Sequence, residues 1–329
     1  MPNHDHSFDS KFKIAYLHPR NLGAWLGIML LFILSLLPVP VREFLAQLLA
    51  PLVVKLAKKQ VRIAKQNLKY CFSNKSDSEI DALVQDCVRV GIKGMLNLGE
   101  LSFRSKKYLA SRFVVKGTEH LQPFAESKQP VIIMTPHTWV VDAGLWFSLN
   151  GMPCCTMVHA AHNPVYDWYL NRQRVRFGGS VFERNTGIKH VIRSIKSGNN
   201  FYYMPDQDRG AEVSEFVPFF DSTKATLTSL SKLARLTKCP VVPAFCGYNE
   251  ELRKYEIRIL PPFEGFPSGN DYLDALAMNQ TLEQMLGRDL KQYMWFLKLF
   301  KTRPENGTNP YESPQLENPL HSPGSMDLS

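Results

Sequence analysis

Short apolar runs alternate with stretches of helical periodicity through most of this chain. Such alternation is typical of an α/β sheet with helices on both faces, because each buried strand needs a helix to cover it. The predicted strands are 112–117, 131–134, 155–159, 201–204, 241–246 and 255–260, the last as an edge strand. The predicted helices are 41–70, 76–103, 139–149, 165–177, 187–196, 223–236, 273–285 and 290–300.

Residues 22–37 are almost wholly apolar and carry no charge. The segment has roughly 16 residues, slightly fewer than the ~20 that span a bilayer. A cleaved signal peptide is disfavoured, since 36–40 offers no small-residue cleavage site. A buried core helix is an open alternative. The sequence favours an uncleaved membrane anchor at 21–38, spanning or half-inserted, after a flexible N-terminus at 1–20.

The remaining chain divides into one large domain at 39–303 and a tail at 304–329. The tail is rich in Pro, Asn, Ser and Glu, a composition typical of disorder. The six cysteines include no C-x-x-C pair, which indicates reduced thiols and gives little support to a structural zinc site. We therefore predict neither disulfides nor a metal.

The net charge of +9 points to an anionic partner, such as phospholipid headgroups, a phosphorylated substrate, an acidic protein or nucleic acid. A basic run follows the apolar segment, and by the positive-inside rule it lies on the cytoplasmic side. A solvated helix face is the alternative interpretation. The basic residues are Lys55, Lys58, Lys59, Arg62, Lys65 and Lys69.

His137 and Asp142 follow the predicted strand 131–134. Ligands of open α/β sheets bind beyond the carboxyl ends of strands, which is where this histidine falls. Imidazole suits proton abstraction near neutral pH, and a carboxylate on its other nitrogen fixes the tautomer. Because a helix is predicted from Trp139, Asp142 is expected to face back toward His137. This spacing alone is a weak signal, and a surface histidine is the alternative.

Further polar side chains follow other predicted strands. Arg184 stands at a loop where it can hold a phosphate or an oxyanion, or pair with Glu183 or Asp206. Asp206 and Asp208 follow strand 201–204, and Lys224 opens a predicted helix where it can bind a phosphate. The candidate substrate-binding residues are Arg184, Asp206, Asp208, Asn163 and Lys224.

The blocks at His137–Asp142, Arg184, Pro205–Asp206 and 239–243 together resemble the four-block pattern of glycerolipid acyltransferases. The match is closer to the late (secondary) acyltransferases of lipid A biosynthesis in Gram-negative bacteria. It rests on strings at 18–20, 23–27, 176–179, 184–189, 203–208, 224–227, 292–298 and 301–303. Within that family, the strings are most similar to the enzymes that acylate (Kdo)2-(lauroyl)-lipid IVA.

The resemblance implies a glycerolipid-acyltransferase-like mixed sheet and transfer of a myristoyl or lauroyl chain. The donor would be an acyl-acyl carrier protein, and the acceptor a hydroxyl of a 3-hydroxyacyl chain on the lipid A precursor. His137 would be the base, oriented by Asp142, and Arg184 would hold the oxyanion or a phosphate. Asp206 and Asp208 would order the site. No metal, nucleotide or other cofactor is implied.

The resemblance also implies a place on the inner membrane, with the catalytic domain on the cytoplasmic side and phospholipids as partners. Many members of the family carry Glu where this chain has Asp142. A lysophosphatidate-type glycerolipid acyltransferase is the alternative function. A non-enzymatic basic binder of membranes or nucleic acid is a second alternative, which leaves the polar residues at the strand ends unexplained.

Overall fold

The computed structural model describes residues 7–304 and 307–312. Its strands are β1 (Phe113–Lys116), β2 (Ile132–Met134), β3 (Cys154–Val158), β4 (Ser180–Glu183), β5 (Asn200–Tyr203), β6 (Ser214–Phe219), β7 (Ser222–Leu227), β8 (Val241–Asn249) and β9 (Lys254–Ile259). Seven of them form one sheet in the order β1-β9-β8-β2-β5-β3-β4, and β6 and β7 form a separate antiparallel hairpin.

The helices cover both faces of the seven-stranded sheet. They are α1 (Leu22–Leu36), α2 (Val39–Leu56), α3 (Lys58–Cys71), α4 (Asp77–Phe103), α5 (Lys106–Ser111), α6 (Gln122–Ser127), α7 (Leu145–Leu149), α8 (Pro164–Arg174), α9 (Lys189–Lys196), α10 (Ser229–Thr237) and α11 (Asp271–Leu286). The predicted mixed α/β fold is confirmed, with β8 and β9 as the antiparallel pair of the large sheet.

Strand β2 shows why the central strands are apolar throughout. Ile132 and Met134 pack into the hydrophobic cluster on one face of the sheet, whereas Val131 and Ile133 pack into the cluster on the other face. All four side chains are fully buried. Since alternate residues of a strand point to opposite faces, a strand covered on both sides needs a continuous apolar run.

Several predicted elements differ from the structure. Residues 223–236 form β7 followed by α10, because the first half pairs with β6 instead of continuing as helix. Residues 290–300 contain only a short 3-10 turn at Leu290–Gln292, since their backbone groups bond to the segment after β2. Strand β9 lies between β1 and β8 and is not an edge strand, and β4 and β6 were not predicted.

The described residues near both ends of the chain bond to the domain. The N–H of Phe8 donates to the carbonyl of Val181, and Tyr16 is buried against α8, so packing begins well before residue 20. Of the predicted disordered tail, residues 305–306 and 313–329 lie outside the described residues. Within the remainder, the hydroxyl of Tyr311 donates to Asn67 and accepts from the N–H of Phe300.

A buried ion cluster joins α2 to the rest of the domain. Glu100, on α4, is fully buried and bonds to Arg42 of α2 and to Arg112 before β1. The hydroxyl of Tyr108 also donates to Glu100. The carboxylate is therefore the shared partner of two buried guanidinium groups, and losing it leaves both charges uncompensated.

Replacing Glu100 by Gln should lower the free energy of unfolding by about 3–5 kcal/mol, the usual cost of breaking a buried pair. The matched control is Asp81→Asn, which removes the exposed Lys65–Asp81 pair and should cost less than about 1 kcal/mol. Urea unfolding in detergent, followed by tryptophan fluorescence, measures both. Equal losses in the two variants would contradict a structural role for the cluster.

Candidate active site

Polar side chains from four strand ends surround one cavity of ≈ 620 Å³. His137 comes after β2, Arg184 after β4, and Gln207 after β5, while His159 follows β3. These strands are parallel, so their carboxyl ends share one edge of the sheet. The polar side chains at these four strand ends therefore line one crevice.

The His137 side chain is held by Asp206. One carboxylate oxygen of Asp206 accepts from the backbone N–H of His137 at 2.7 Å, and the other bonds to ring Nδ1. Asp206 is fully buried, whereas the His137 side chain keeps 15% of its surface exposed. With the carboxylate on Nδ1, the neutral ring carries its proton there and leaves Nε2 as the basic nitrogen.

The second ring nitrogen faces the cavity. Gln207, in the cavity wall, has its side-chain nitrogen 3.2 Å from Nε2 of His137. An amide N–H can donate to the lone pair of Nε2, which is consistent with the tautomer that Asp206 favours. Nε2 therefore faces the cavity, with the amide of Gln207 as its partner.

The backbone around His137 is fixed on both sides. The hydroxyl of Thr138 donates to the carbonyl of Cys246 on β8. The carbonyl of His137 accepts from the N–H of Met294 at 2.9 Å, and the N–H of Trp139 donates to the carbonyl of Gln292 at 3.1 Å. Residues 292–294 therefore bond to the loop that carries His137 instead of continuing as a helix.

Asp142 does not make the contact with His137 that the sequence predicts. Its carboxylate accepts from Nε of Arg174 at 2.8 Å and from NH2 of the same guanidinium at 3.5 Å. The reason is local: residues Val141–Gly144 form a 3-10 turn and α7 begins only at Leu145, so Asp142 does not lie on the first turn of an α-helix. The carboxylate on the His137 ring is that of Asp206.

Arg174, the ion-pair partner of Asp142, lies in the cavity wall. Burial lowers the pKa of Arg174, but Asp142 more than offsets this and raises the pKa above its usual value. The guanidinium also donates to Asn171 at 3.1 Å and lines the cavity together with His137. A fixed cation therefore lies on the wall that also carries His137.

The rest of the cavity wall combines a cation with apolar side chains. Arg184 is half-buried and, within the described part of the chain, forms no ion pair, so neither Glu183 nor Asp206 holds it. Burial lowers the pKa of its guanidinium. Apolar wall residues are Val158, Ile188, Leu227, Leu233 and Leu236. The cavity can accept a long apolar chain that carries a polar or anionic end.

Lys224 is fully buried, so it is not placed to bind a phosphate from solution. Its ammonium lies 5.6 Å from the centre of the Phe219 ring, and its Nζ has no hydrogen-bond partner among the residues that the structure describes. Burial raises the pKa of Asp206, but the charges of His137 and Lys224 hold the pKa below its ordinary value. The charge of Lys224 is one contribution that lowers the pKa of Asp206, after the larger contributions from His137.

Two other predicted substrate-binding residues have structural partners. Asp208 accepts from the N–H and the hydroxyl of Thr302, both at 2.6 Å, and so ties the loop after β5 to the C-terminal segment. Asn163 caps α8 by accepting from the N–H groups of Val165 and Tyr166, and its amide donates to Asn21 at 3.3 Å. Neither residue lines the cavity.

Comparisons of the sequence with a family model and with known proteins indicate the same family. Residues 9–302 match the family described as bacterial lipid A biosynthesis acyltransferase. The chain belongs to this family. Similar proteins include a lipid A biosynthesis acyltransferase of Haemophilus influenzae, 37% identical over 93% of this chain and 95% of the relative. The lipid A biosynthesis myristoyltransferase of Escherichia coli is 34% identical over 94% and 95%, and the lauroyltransferase is 30% identical over 92% and 98%.

Arg174 and Tyr293 are the candidate site residues of this family member that the sequence did not single out. Arg174 is the last residue of α8, where an arginine is normally expected to be solvated. Tyr293 is fully buried beside Asp206, and burial together with that carboxylate raises the pKa of its phenol. Both contacts join residues far apart in the chain, so no local pattern indicates them.

Replacing Lys224 by Met should shift the acid limit of activity to higher pH. Without the ammonium, the pKa of Asp206 rises, so the carboxylate is protonated at a higher pH and its charged bond to His137 is lost there. Lys224→Arg retains the charge and should keep the acid limit nearer to that of the wild type. The measurement is kcat as a function of pH.

Lys196→Met, on the exposed end of α9, is the matched control and should leave the acid limit in place. A purely structural role for Lys224 would lower kcat equally at every pH. That result, with no displacement of the acid limit, would contradict the electrostatic role.

Proposed function

We propose that this protein transfers a myristoyl or lauroyl chain from acyl-acyl carrier protein to a 3-hydroxyacyl hydroxyl of (Kdo)2-(lauroyl)-lipid IVA, a late step of lipid A biosynthesis. The observation that carries the proposal is the His137 ring, bonded to buried Asp206 at Nδ1 and facing an apolar-walled cavity with Nε2. The family membership supports a lipid A precursor as the acceptor.

In the proposed reaction, Nε2 of His137 takes the proton of the acceptor hydroxyl as the oxygen attacks the thioester carbonyl. Asp206 stabilises the imidazolium that forms. When the tetrahedral intermediate collapses, the carbon–sulfur bond breaks and the thiolate leaves. The imidazolium returns its proton to the sulfur, so the base is regenerated without a metal, a nucleotide or any other cofactor.

The cations of the cavity wall have distinct places in this scheme. Arg174, held by Asp142, is the group proposed to stabilise the oxyanion, and Asp142 acts in catalysis through it. Arg184 has no carboxylate partner among the described residues and is proposed to hold a phosphate of the acceptor. We assign the two roles in this way because the Arg174 guanidinium already has a carboxylate partner, Asp142, whereas Arg184 has none among the described residues.

The proposed partners follow from charge and from the apolar N-terminal helix. A net charge of +9 favours encounter with an acidic carrier protein and a phosphorylated lipid, and the proposal involves no nucleic acid. Within the described residues, the segment Pro19–Leu36 is long and apolar enough to cross a membrane. We place the protein on the inner membrane of a Gram-negative cell, with the catalytic domain on the cytoplasmic side.

The test is mass spectrometry of lipid A after the purified protein meets penta-acylated lipid A precursor with myristoyl- or lauroyl-acyl carrier protein. We expect a mass gain of one acyl group, lost in His137→Ala. Lysophosphatidate is offered in a parallel reaction. Acylation of lysophosphatidate alone would overturn the proposal in favour of a glycerolipid acyltransferase, and unchanged turnover by His137→Ala would overturn the role of the base.

Asp206→Asn should lower kcat by about 10³–10⁴-fold with a small change in KM, because an amide partner permits the wrong imidazole tautomer. Steady-state kinetics with the labelled acyl donor measures this. Asp208→Asn, two residues along the same loop, is the control for loop structure and should cost far less kcat. Equal losses from both variants would mean that Asp206 only shapes the loop.

Asp142→Asn and Arg174→Gln should each lower kcat, and the double variant should be little worse than the more damaging single variant. The two side chains form one ion pair, and residues that act as a unit are not additive. A double-mutant cycle on kcat provides the measurement. Fully multiplicative losses would show that Asp142 acts independently of Arg174.

A further inference from the structure

Helix α1 is docked on the domain along one side. Gly27 lies against the ring hydroxyl of Tyr166 on α8, and Gly99 of α4 lies against the backbone of Leu31 and the side chain of Ser35. These contacts extend over most of the helix. Its 15 residues measure about 22 Å, and the apolar stretch reaches 18 residues only together with the 3-10 turn Pro19–Asn21 before it, so the docking contacts and not the length decide how it meets a membrane.

The segment before α1 is attached to the same domain. The N–H of Phe8 bonds to Val181 on the edge strand β4, and the indole N–H of Trp168 on α8 donates to the carbonyl of Ser10 at 3.1 Å. The N-terminal end of α1 therefore lies beside the catalytic domain.

The segment after α1 returns to that domain at once. Arg42, near the start of α2, is bonded to buried Glu100, and Glu43 accepts from the hydroxyl of Tyr248 on β8 at 3.0 Å. A spanning helix has its two ends on opposite sides of the bilayer. Both ends of α1 are bonded to one domain, so the described fold leaves no room for a crossing.

The outward faces of α1 and α2 are nevertheless strongly apolar. On α1, Leu22, Leu26, Met29, Ile33 and Leu36 are exposed, and the helix carries no charge. The buried positions of the two helices include small residues such as Ala24, Ala46 and Ala50, and on α1 also Ile28, Leu34 and Ser35.

The exposed stripe of α2 has helical spacing. Phe44, Leu48, Leu52 and Leu56 lie on its outward side, opposite Ala46 and Ala50, which pack on α4. Two neighbouring helices with large exposed apolar residues form a patch that water disfavours.

Basic side chains border the end of this apolar face. Lys55 lies in the last turn of α2, and Lys58, Lys59 and Arg62 follow on α3. All four side chains are exposed. Lysines beside an apolar helical face suit a layer of anionic headgroups over a hydrocarbon layer. An apolar protein partner would leave these charges unmatched, so the charge pattern favours a lipid surface.

We propose that α1 and α2 together form a membrane-binding face that enters one leaflet of an anionic phospholipid bilayer without crossing it. Asn21, at the start of α1, is bonded to Asn163, which caps α8 after the loop that brings His159 to the cavity wall. The face therefore adjoins the cavity. The inference concerns membrane geometry and does not depend on the proposed acyl transfer.

Spin labels on introduced cysteines in the full-length reconstituted protein test the geometry. We expect labels at Leu22, Met29, Leu36 and Leu52 to lie at similar depths, with oxygen accessibility high and that of a water-soluble nickel complex low at all four. The native thiols are buried or half-buried, which limits background labelling. Ser78→Cys, on the exposed start of α4, is the aqueous control.

A deep label at Met29 with shallow labels at Leu22 and Leu36 would overturn the proposal in favour of a spanning helix. Four labels in water would overturn it in favour of a soluble surface. A membrane-impermeant thiol reagent gives a second measurement. Lys11→Cys and Ser78→Cys should react equally from outside when the protein binds preformed vesicles, whereas a crossing would protect one of them.

The headgroup contact is tested by Lys58→Gln, Lys59→Gln and Arg62→Gln combined. Binding to phosphatidylcholine vesicles that contain phosphatidylglycerol should weaken about fivefold for each charge removed. Binding to pure phosphatidylcholine should match that of the wild type. The control removes three exposed charges from α9, through Lys189→Gln, Arg193→Gln and Lys196→Gln. Equal weakening by both triple variants would contradict a specific basic border.

Discussion

The bond between Asp206 and His137 is the contact on which the arrangement of the site depends. A fully buried carboxylate is costly unless its oxygens are bonded and its charge is compensated. Asp206 meets this requirement through two bonds to His137, one to the backbone and one to the ring, with the charge of buried Lys224 nearby. The carboxylate thus fixes the loop after β2, the ring rotation and the tautomer at the same time.

The ends of β2, β3 and β5 could be predicted from the sequence, whereas β4, which precedes Arg184, and the pairings between side chains could not. Runs such as 131–134 and 201–204 show where buried strands end, and parallel strands bring those ends to one edge. The partner of His137 depends on whether Val141–Gly144 forms an α-turn or a 3-10 turn, a difference too small for periodicity to indicate. The proximity of Asp142 in sequence was therefore misleading, while Asp206 lies 69 residues away.

The errors in secondary structure have a common cause in tertiary contacts. The stretch 223–227 pairs with β6, and that pairing buries Lys224 and Thr226 where a helix would have exposed them in part. The segment from Gln292 to Met294 leaves the helical conformation because its N–H and C=O groups bond to the loop of His137 and Trp139. In both places the local propensity is overridden by hydrogen bonds that support the site.

The packing of α1 and α2 on the domain fixes the position of the proposed membrane-binding face relative to the cavity. Small side chains such as Ala46 and Gly99 bring the helices close to α4, and the Arg42–Glu100 pair prevents α2 from sliding along it. A flexible anchor would hold the domain near the bilayer at no defined height. In the proposed membrane-bound arrangement, a rigid face would hold His137 at a fixed height above the headgroups, so a lipid acceptor could present its hydroxyl while its other chains stay in the leaflet.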